Sequence, residues 1–181
     1  MRVISGSAGG LRLASPKGVE LRPTQDRIRQ VIFSSLASRV PGCRVLDLFA
    51  GTGSLGIEAL SRGAASALFV EKEARSVKTI QANLATCRLF GTVVQADALS
   101  WLERPNTDTF DLIFADPPYE KVKGELSETY LPAKVARFLA EDGLFIWEHY
   151  RGQIPAKMEG WEVTRHQVYG ETGLTFLRQK V

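Results

Sequence analysis

Residues 44–56 read "RVLDLFAGTGSLG", in which an apolar run leads directly into three glycines spaced G-x-G-x-x-G. The run predicts a buried strand, and the residues after the first two glycines, "SLGIEALSRGA", predict a helix that ends near Gly63. A strand, a glycine-rich turn and a helix in this order are typical of α/β proteins that bind a nucleotide. An acid suited to a ribose is expected about 20 residues after the first glycine, and Glu71 stands at that position.

Strands and helices continue to alternate on the carboxyl side of this turn. Further strands are predicted by "ALFVE", "TVVQAD", "FDLIFAD" and "GLFIWEHY", and helices by "EARSVKTIQANLATCRL", "ALSWLER" and "LPAKVARFLAED". The tail "WEVTRHQVYGETGLTFLRQ" predicts an antiparallel pair of strands around Gly170. We therefore expect an α/β, Rossmann-like fold with a mainly parallel seven-stranded sheet, helices on both faces and a C-terminal antiparallel strand pair. Its ligand site should lie beyond the carboxyl ends of the strands.

The N-terminal part differs from the rest of the chain in its pattern of predicted elements and in its charge. "RVISGSAGGLRLAS" predicts a hairpin that turns at Gly9 and Gly10, and "RPTQDRIRQVIFSSLASRV" predicts a helix capped by Thr24. Residues 1–44 carry eight Lys and Arg against two acids, whereas the remaining 137 residues carry 15 bases and 18 acids. This asymmetry favours a polyanionic partner on the N-terminal side, although an ordinary solvated surface explains it equally well. We expect a basic hairpin-helix extension over residues 1–43 and a ligand-binding domain over residues 44–181.

Composition excludes several classes of protein. The chain is 44% hydrophobic and 24% charged, has no apolar run long enough to span a bilayer, and begins with "MRVISGSAGG", which lacks the apolar core of a signal peptide. A cytoplasmic protein without a membrane partner is expected. Cys43 and Cys87 are expected to be buried thiols, and His149 and His166 stand apart as structural residues, so no metal is expected.

The residues around the glycines favour S-adenosylmethionine over NAD as the nucleotide. Asp47 lies inside the strand, where a carboxylate would be unfavourable next to a pyrophosphate but could bind an ammonium group. Gly51 and Gly53 allow close approach of the backbone, and Glu71 can accept both hydroxyls of a ribose. An amino-acid ammonium and a ribose together describe S-adenosylmethionine, whose product is S-adenosylhomocysteine. NAD remains possible but leaves Asp47 unexplained.

Asp97 and Ala98 follow the third predicted strand. In this architecture that position borders the adenine of a bound nucleotide. Asp97 could accept the exocyclic amine of the adenine, or it could cap the helix that follows, and the two roles are compatible.

The stretch "FDLIFADPPY", residues 110–119, carries an acid, two prolines and an aromatic residue at the end of a buried strand. The carboxylate of Asp116 and the carbonyl of Pro117 could accept the two N–H bonds of a base amine, which aims its nitrogen at the methyl group of the cofactor. Pro117 and Pro118 stiffen the backbone, and Tyr119 could stack on a flipped or single-stranded base. The stretch therefore predicts in-line methyl transfer to a base amine, whereas an isolated match of this kind would indicate only a rigid turn.

The chain resembles the RsmD-type 16S ribosomal RNA guanine-N2 methyltransferases, a bacterial family of small class I methyltransferases, over nearly its whole length. The resemblance rests on the order of the motifs quoted above, and "RPTQDRIRQVIF" and "YGETGLTF" separate this family from other amino methyltransferases. It implies methylation, dependent on S-adenosylmethionine, of the N2 amine of a guanine in 16S rRNA, of the guanine-966 type. The expected partner is free 16S rRNA or the small ribosomal subunit, and the protein is expected to be a monomer.

The resemblance also implies a role for each site residue. The cofactor would be bound by Thr24, Asp47, Gly51, Gly53, Glu71, Asp97 and Ala98. Asp116, Pro117 and Tyr119 would be catalytic, and the RNA would be bound by Pro118, Arg12, Arg22, Arg27 and Arg29. The family usually has asparagine where this chain has Ser34, a difference without a physical account.

Three other functions stay open at this stage. A DNA adenine-N6 or cytosine-N4 methyltransferase would use the same acid–proline motif, although the chain has no spare segment for a target-recognition region. The glycine spacing alone would also fit an NAD-dependent oxidoreductase, and a non-catalytic RNA-binding module could share the fold. The loop over residues 120–127 could be a lid or a solvated connection.

Overall fold

The computed structural model describes residues 1–15, 23–105, 108–118, 130–152 and 158–180, with the backbone alone described for residues 23–25. The helices are α1 (Pro23–Leu36), α2 (Ser54–Ser61), α3 (Ala74–Cys87), α4 (Ala98–Leu102) and α5 (Tyr130–Val135). The strands are β1 (Arg44–Leu48), β2 (Ser66–Glu71), β3 (Thr92–Gln95), β4 (Phe110–Ala115), β5 (Leu139–Tyr150), β6 (Trp161–Tyr169) and β7 (Thr172–Gln179). None of the helices among these residues is long and apolar enough to cross a membrane.

The seven strands form one sheet in the order β3-β2-β1-β4-β5-β7-β6. Strands β1 to β5 are parallel, and β7 runs antiparallel between β5 and β6. This arrangement confirms the predicted fold class, including the antiparallel pair around Gly170. Chain order reverses on either side of β1, whose neighbours are β2 and β4, so a crevice forms at the carboxyl end of β1.

Helices cover both faces of the sheet because residues alternate between the faces along each strand. Val45 and Phe114 pack in a core with α1, α2 and α3, where Phe33 lies 5.8 Å from Phe114 between ring centroids. Leu46 and Ile113 face the other way, into a second core with α4 and α5. Both predicted layers of helices are therefore present.

The first 15 residues form a short hairpin that packs on α2. The N–H of Val3 donates to the carbonyl of Leu11 at 3.0 Å, the N–H of Gly10 donates to the carbonyl of Val3 at 2.9 Å, and an antiparallel bridge joins Arg2 to Arg12. Between them, the backbone N–H groups of Ile4 and Ser5 donate to the carboxylate of Glu58, at 2.7 and 3.1 Å. The predicted hairpin is therefore present but short, and the N–H groups next to its turn bond to α2.

Two predicted boundaries are wrong. Helix α1 begins at Pro23, a residue favoured at the first helical position, so Thr24 lies within the first turn and does not cap the helix. The helix predicted over residues 131–142 ends early, because Leu139 pairs with Phe110 and starts β5.

The contact between the N-terminal segment and α2 can be tested with a pair of glycine variants. Gly6 and Gly10 have nearly equal positive φ angles, +86° and +85°, but a Cβ on Gly6 would lie 1.8 Å from the carbonyl oxygen of Ser61, whereas one on Gly10 would meet nothing within 4 Å. We expect Gly10→Ala to lower the free energy of unfolding by about 1 kcal/mol, the cost of a left-handed alanine, and Gly6→Ala by about 3 kcal/mol or more. Urea denaturation followed by circular dichroism measures both, and equal losses would show that the segment is not held at Ser61.

Candidate functional site

A cavity of about 640 Å³ lies at the carboxyl ends of the parallel strands. It brings together residues that are far apart in the sequence: Gly51, Glu71, Asp97, Ala98, Asp116, Pro117 and Pro118 all line it. A smaller cavity of about 160 Å³ adjoins it and is lined by Asp47 and by the start of α2. The two cavities share Phe49, Gly51, Asp116 and Glu148, so they form one continuous site.

The glycine turn has the backbone conformation that its sequence predicts. Gly51 and Gly53 have φ angles of +56° and +76°, and Gly53 precedes α2 as its N-cap residue. A side chain on Gly53 would also press on Ile80, 3.1 Å from its Cβ. Phe49 has φ of +58°, an uncommon value for a bulky residue, at the point where β1 enters the site. Gly51 therefore presents only backbone to the cavities, whereas Gly53 allows the turn to pack closely on α3.

Asp47 is a buried carboxylate between β1 and α2. It is 2% exposed, and its Oδ2 accepts a hydrogen bond from the N–H of Gly56 at 2.9 Å. Burial raises the pKa of Asp47 to about 8, the Gly56 bond opposes this shift, and the neighbouring acids Asp116 and Glu71 add to it. Without a cation beside it, this side chain is therefore largely protonated near neutral pH.

Glu71 stands at the carboxyl end of β2, as predicted. Its Oε2 accepts from the N–H of Gly51 at 2.7 Å, and its Oε1 accepts from the N–H of Glu73 at 2.8 Å. Each carboxylate oxygen can accept a further hydrogen bond, so the two backbone bonds orient the side chain and leave it able to bind a ligand. The ribose role stays a prediction.

Asp97 caps α4, which confirms one of its two predicted roles. Its Oδ1 accepts from the N–H groups of Leu99 and Ser100 at 3.1 and 3.2 Å. Lys72 lies 3.7 Å from its other oxygen. Asp97 and the buried Ala98 also line the large cavity, so the cap leaves the adenine role available.

Asp116 lies at the end of β4 and lines both cavities. Water reaches this residue through the open cavity, yet the protein around it raises the pKa of Asp116 to about 6. Pro117 is buried and Pro118 is exposed. Tyr119 lies outside the described residues, so its predicted stacking role stays a prediction.

Glu148 is a site residue that the sequence analysis missed. It is 9% exposed, lines both cavities, and stands beside Asp116 because Ala115 pairs with Trp147 in adjacent strands. Burial raises its pKa well above the usual range, and Asp116 and Asp47 raise it further. The sequence did contain a signal for this residue: Glu148 is an acid within the apolar run "GLFIWEHY", just as Asp47 is an acid within β1.

The predicted RNA-binding arginines occupy different environments. Arg12 and Arg27 are exposed, and the guanidinium of Arg27 lies over the ring of Tyr169, 5.8 Å from its centroid. The prediction for Arg29 is wrong in this structure, because its side chain is 3% exposed and cannot face RNA. Arg22 lies outside the described residues, as does the side chain of Thr24.

The histidines and cysteines have structural surroundings. The rings of His149 and His166 both bond to Thr175 Oγ1 at 2.8 Å, and His149 is fully buried. Cys43 and Cys87 are buried free thiols. Within the described part of the chain, no group of three or more His, Cys, Asp or Glu side chains could hold a metal ion.

Comparison with known proteins agrees with this geometry. The model of the family described as "Conserved hypothetical protein 95" matches residues 1–178. The chain belongs to this family. Since its relatives include ribosomal RNA small subunit methyltransferase D, the resemblance to the RsmD type is confirmed.

Two relatives match almost the whole chain. YlbH of Bacillus subtilis is 37% identical over 99% of this chain and 100% of its own length. Ribosomal RNA small subunit methyltransferase D of Escherichia coli is 34% identical over 94% of this chain and 86% of its own length. Among solved structures, yhhF of Escherichia coli superposes with a TM-score of 0.88 at 32% identity, covering 99% of this chain and 98% of the other. SMU.776, solved in complex with SAH, shares the fold with a TM-score of 0.71 at 19% identity, over 87% of this chain and 50% of the other.

Asp47 should make the stability of this family member depend on pH. Its pKa is about 8 when folded and about 4 when unfolded, so its stabilising contribution is full below pH ~4 and is lost as the pH rises towards 8. Asp47→Asn keeps an acceptor for the Gly56 N–H but cannot ionise. Relative to this variant, the wild-type protein should lose on the order of a few kcal/mol of unfolding free energy between pH ~5 and ~8.

Urea denaturation without cofactor at several pH values measures this difference. Asp142→Asn, at an exposed site in β5, is the control and should follow the wild-type profile. Parallel profiles for the wild type and Asp47→Asn would contradict the raised pKa of Asp47.

Proposed function

We propose that this protein transfers a methyl group from S-adenosylmethionine to the exocyclic N2 amine of a guanine in 16S ribosomal RNA, of the guanine-966 type. The observation that carries the proposal is that Asp116 and Pro117 face the same cavity as Gly51 and Glu71. A methyl donor held by the glycine turn and an amine held at the end of β4 would therefore meet in one site. Membership in a family with relatives named as small-subunit rRNA methyltransferases supports the same reaction.

The residues of the large cavity fit the adenosine part of the cofactor. Glu71 is oriented by two backbone N–H groups and keeps acceptor capacity for the ribose hydroxyls. Asp97 and Ala98 border the space beyond Glu71 where an adenine would lie. The methionine part would then lie along Gly51 and Gly53, close to Asp47.

The protein contributes positioning and electrostatics to the transfer. When bound, S-adenosylmethionine supplies an electrophilic methyl group on a positively charged sulfur. The carboxylate of Asp116 accepts one N–H of the amine and the carbonyl of Pro117 accepts the other, so the nitrogen lone pair is directed at that carbon. The nitrogen becomes acidic as its bond to carbon forms, and its proton leaves to Asp116 or to water, so no strong base is required.

The acids around the reacting atoms suit the charge that develops there. Glu148 lies beside Asp116, and both stabilise positive charge on the amine nitrogen when they are ionised. Because the pKa of Asp116 is about 6, its carboxylate is mostly ionised at neutral pH and can accept the N–H of the amine. Methyl transfer should therefore decline as the pH falls below about 6.

The N-terminal segment and α1 are proposed to form the RNA surface, with Arg12 and Arg27 as exposed cations. Tyr169 holds the guanidinium of Arg27 at the rim of the large cavity, because the same tyrosine lines that cavity. Arg22 belongs to this set by sequence. This surface would seat the phosphate backbone while the target base enters the cavity.

Identification of the methylated nucleoside tests the reaction. Labelled S-adenosylmethionine is offered with unmodified 16S rRNA, small ribosomal subunits and double-stranded DNA, and the digested products are separated. We expect N2-methylguanosine from RNA. Methylated adenine or cytosine in DNA would overturn the substrate, and a hydride transfer with NADH in place of methyl transfer would overturn the cofactor.

Asp116→Ala separates chemistry from cofactor binding. Loss of the acceptor for the amine should lower the rate of methyl transfer by about a hundredfold or more, while S-adenosylhomocysteine binding changes only slightly. Glu141→Ala, at an exposed acid in β5 outside both cavities, is the control and should retain full activity. A comparable loss of transfer and binding in Asp116→Ala would show that Asp116 serves the cofactor instead.

The salt dependence of RNA binding tests the basic surface. Each phosphate contact removed should lower the slope of log affinity against log salt concentration by about one. We expect Arg12→Gln/Arg27→Gln to lower the slope by about two and to weaken binding at low salt. Arg39→Gln is the control and should leave the slope unchanged. Arg39 belongs to the same N-terminal part but bonds to the carbonyl of Asp142, near the amino end of β5 and away from the cavity. A slope unaffected by the double variant would remove these arginines from the RNA surface.

A further inference from the structure

Arg29 is a buried cation whose hydrogen bonds are only partly used. Its Nη2 donates to the carbonyl oxygen of Arg2 and to Asp26 Oδ1, the latter at 3.0 Å. Its Nε and Nη1 are buried and have no partner among the described residues. Because a buried donor without an acceptor costs free energy, these two N–H groups indicate an acceptor that is not part of the described protein.

Arg29 is one of the residues that line the small cavity described above. The start of α2 forms another wall of that cavity, through Ser54 and Leu55. The N-cap residue of α2, Gly53, has no side chain with which to cap it. Of the N–H groups in the first turn, that of Gly56 donates to Asp47, and those of Ser54 and Leu55 have no acceptor within the helix. A guanidinium and a helix N-terminus therefore face one small space, which favours a negatively charged group there.

The remaining wall of the cavity carries the opposite charge. Asp47, Asp116 and Glu148 line it, all within the same space of about 160 Å³. A simple anion such as phosphate would bring no cation to these acids and would gain nothing from them, whereas they suit a group that has a cation next to its anion. An α-amino acid has this arrangement, with its ammonium and carboxylate on the same carbon, and S-adenosylmethionine ends in one.

We infer that Arg29 binds the α-carboxylate of S-adenosylmethionine, with the ammonium turned towards Asp47. The inference rests on the cofactor placement proposed above, and it extends the cofactor site beyond the glycine turn to α1. Nη1 is a charged N–H donor that can bond one oxygen of a carboxylate, and the N–H groups of Ser54 and Leu55 at the start of α2 can serve the other. Arg29 is thus a residue of the cofactor site, and not one of the RNA surface.

Equilibrium binding tests the inference without catalysis. Isothermal calorimetry is carried out with S-adenosylhomocysteine and with its decarboxylated analogue, which keeps the adenosine, the thioether and the amine. We expect the wild-type protein to prefer S-adenosylhomocysteine by about 30-fold or more, as a charge-assisted hydrogen-bonded pair provides. Arg29→Met should reduce this preference about tenfold, the rest being supplied by α2.

Arg62→Met is the matched control. Arg62 is another partly buried arginine near Arg29, paired with Glu58 at 2.7 Å, but it does not line the cavity. Its replacement can weaken the packing of α2, yet it should leave the preference between the two ligands at the wild-type value. The preference is a ratio, so a general loss of stability cancels from it.

Three results would overturn the inference. A wild-type protein that binds both ligands equally well has no carboxylate site. If Arg29→Met lowers the affinity for both ligands by the same factor, the role of Arg29 is only the structural link between Arg2 and Asp26. If Arg29→Met does not fold, Arg29→Gln, which also removes the charge, replaces it, and an unchanged preference in that variant overturns the inference.

Failure of the proposed function gives a different result. In that case S-adenosylhomocysteine would not bind the wild-type protein, or Glu71→Gln would leave its affinity unchanged. If Glu71→Gln weakens both ligands equally while Arg29→Met changes only their ratio, the adenosine end and the carboxylate end are separate parts of one site.

Discussion

The alignment of the parallel strands at their carboxyl ends controls the rest of the site. Leu48 of β1 pairs with Ala115 of β4, and Ala115 pairs with Trp147 of β5. The residues that follow therefore reach the same edge of the sheet, and Asp116 and Glu148 stand beside the glycine turn. A shift of one residue in either pairing would turn these carboxylates to the opposite face of the sheet. The two cores on either side of the sheet prevent such a shift, because Ile113 and Phe114 are buried in different ones.

This alignment concentrates three acidic side chains in one small space. Burial and mutual repulsion together raise the pKa of Asp47 and Glu148, and the protein around Asp116 raises the pKa of that residue. The arrangement costs stability in the free protein, and a cation at the site recovers part of it. A sulfonium and an ammonium on one ligand supply two such cations. The electrostatics of the site therefore select a ligand by its charge distribution as well as by its shape.

Sequence patterns predicted the fold and much of the site because both follow from local order along the chain. The glycine turn, Glu71 and Asp116 each stand directly after a strand, and parallel strands end at one edge. Glu148 was missed because its place in the site comes from the pairing of β5 with β4, which no local pattern reports. Arg29 was assigned to the wrong surface for a similar reason: charge suggests exposure, and only the packing of α1 against the first core shows that this side chain is buried. The placement of the short N-terminal hairpin also depends on a distant residue, since Glu58 of α2 accepts the N–H groups of Ile4 and Ser5.

The antiparallel insertion of β7 between β5 and β6 determines which strands lie at the margins of the sheet. One margin is β3, with four residues, and the other is β6, which carries Glu162 and Arg165 among mostly solvent-facing side chains. Short strands and charged side chains are the features by which proteins discourage edge-to-edge association. The long apolar strands β4 and β5 lie inside the sheet, where their backbone groups are already paired. The strands with the longest apolar runs are thus kept away from the margins, where an unpaired backbone could recruit another strand.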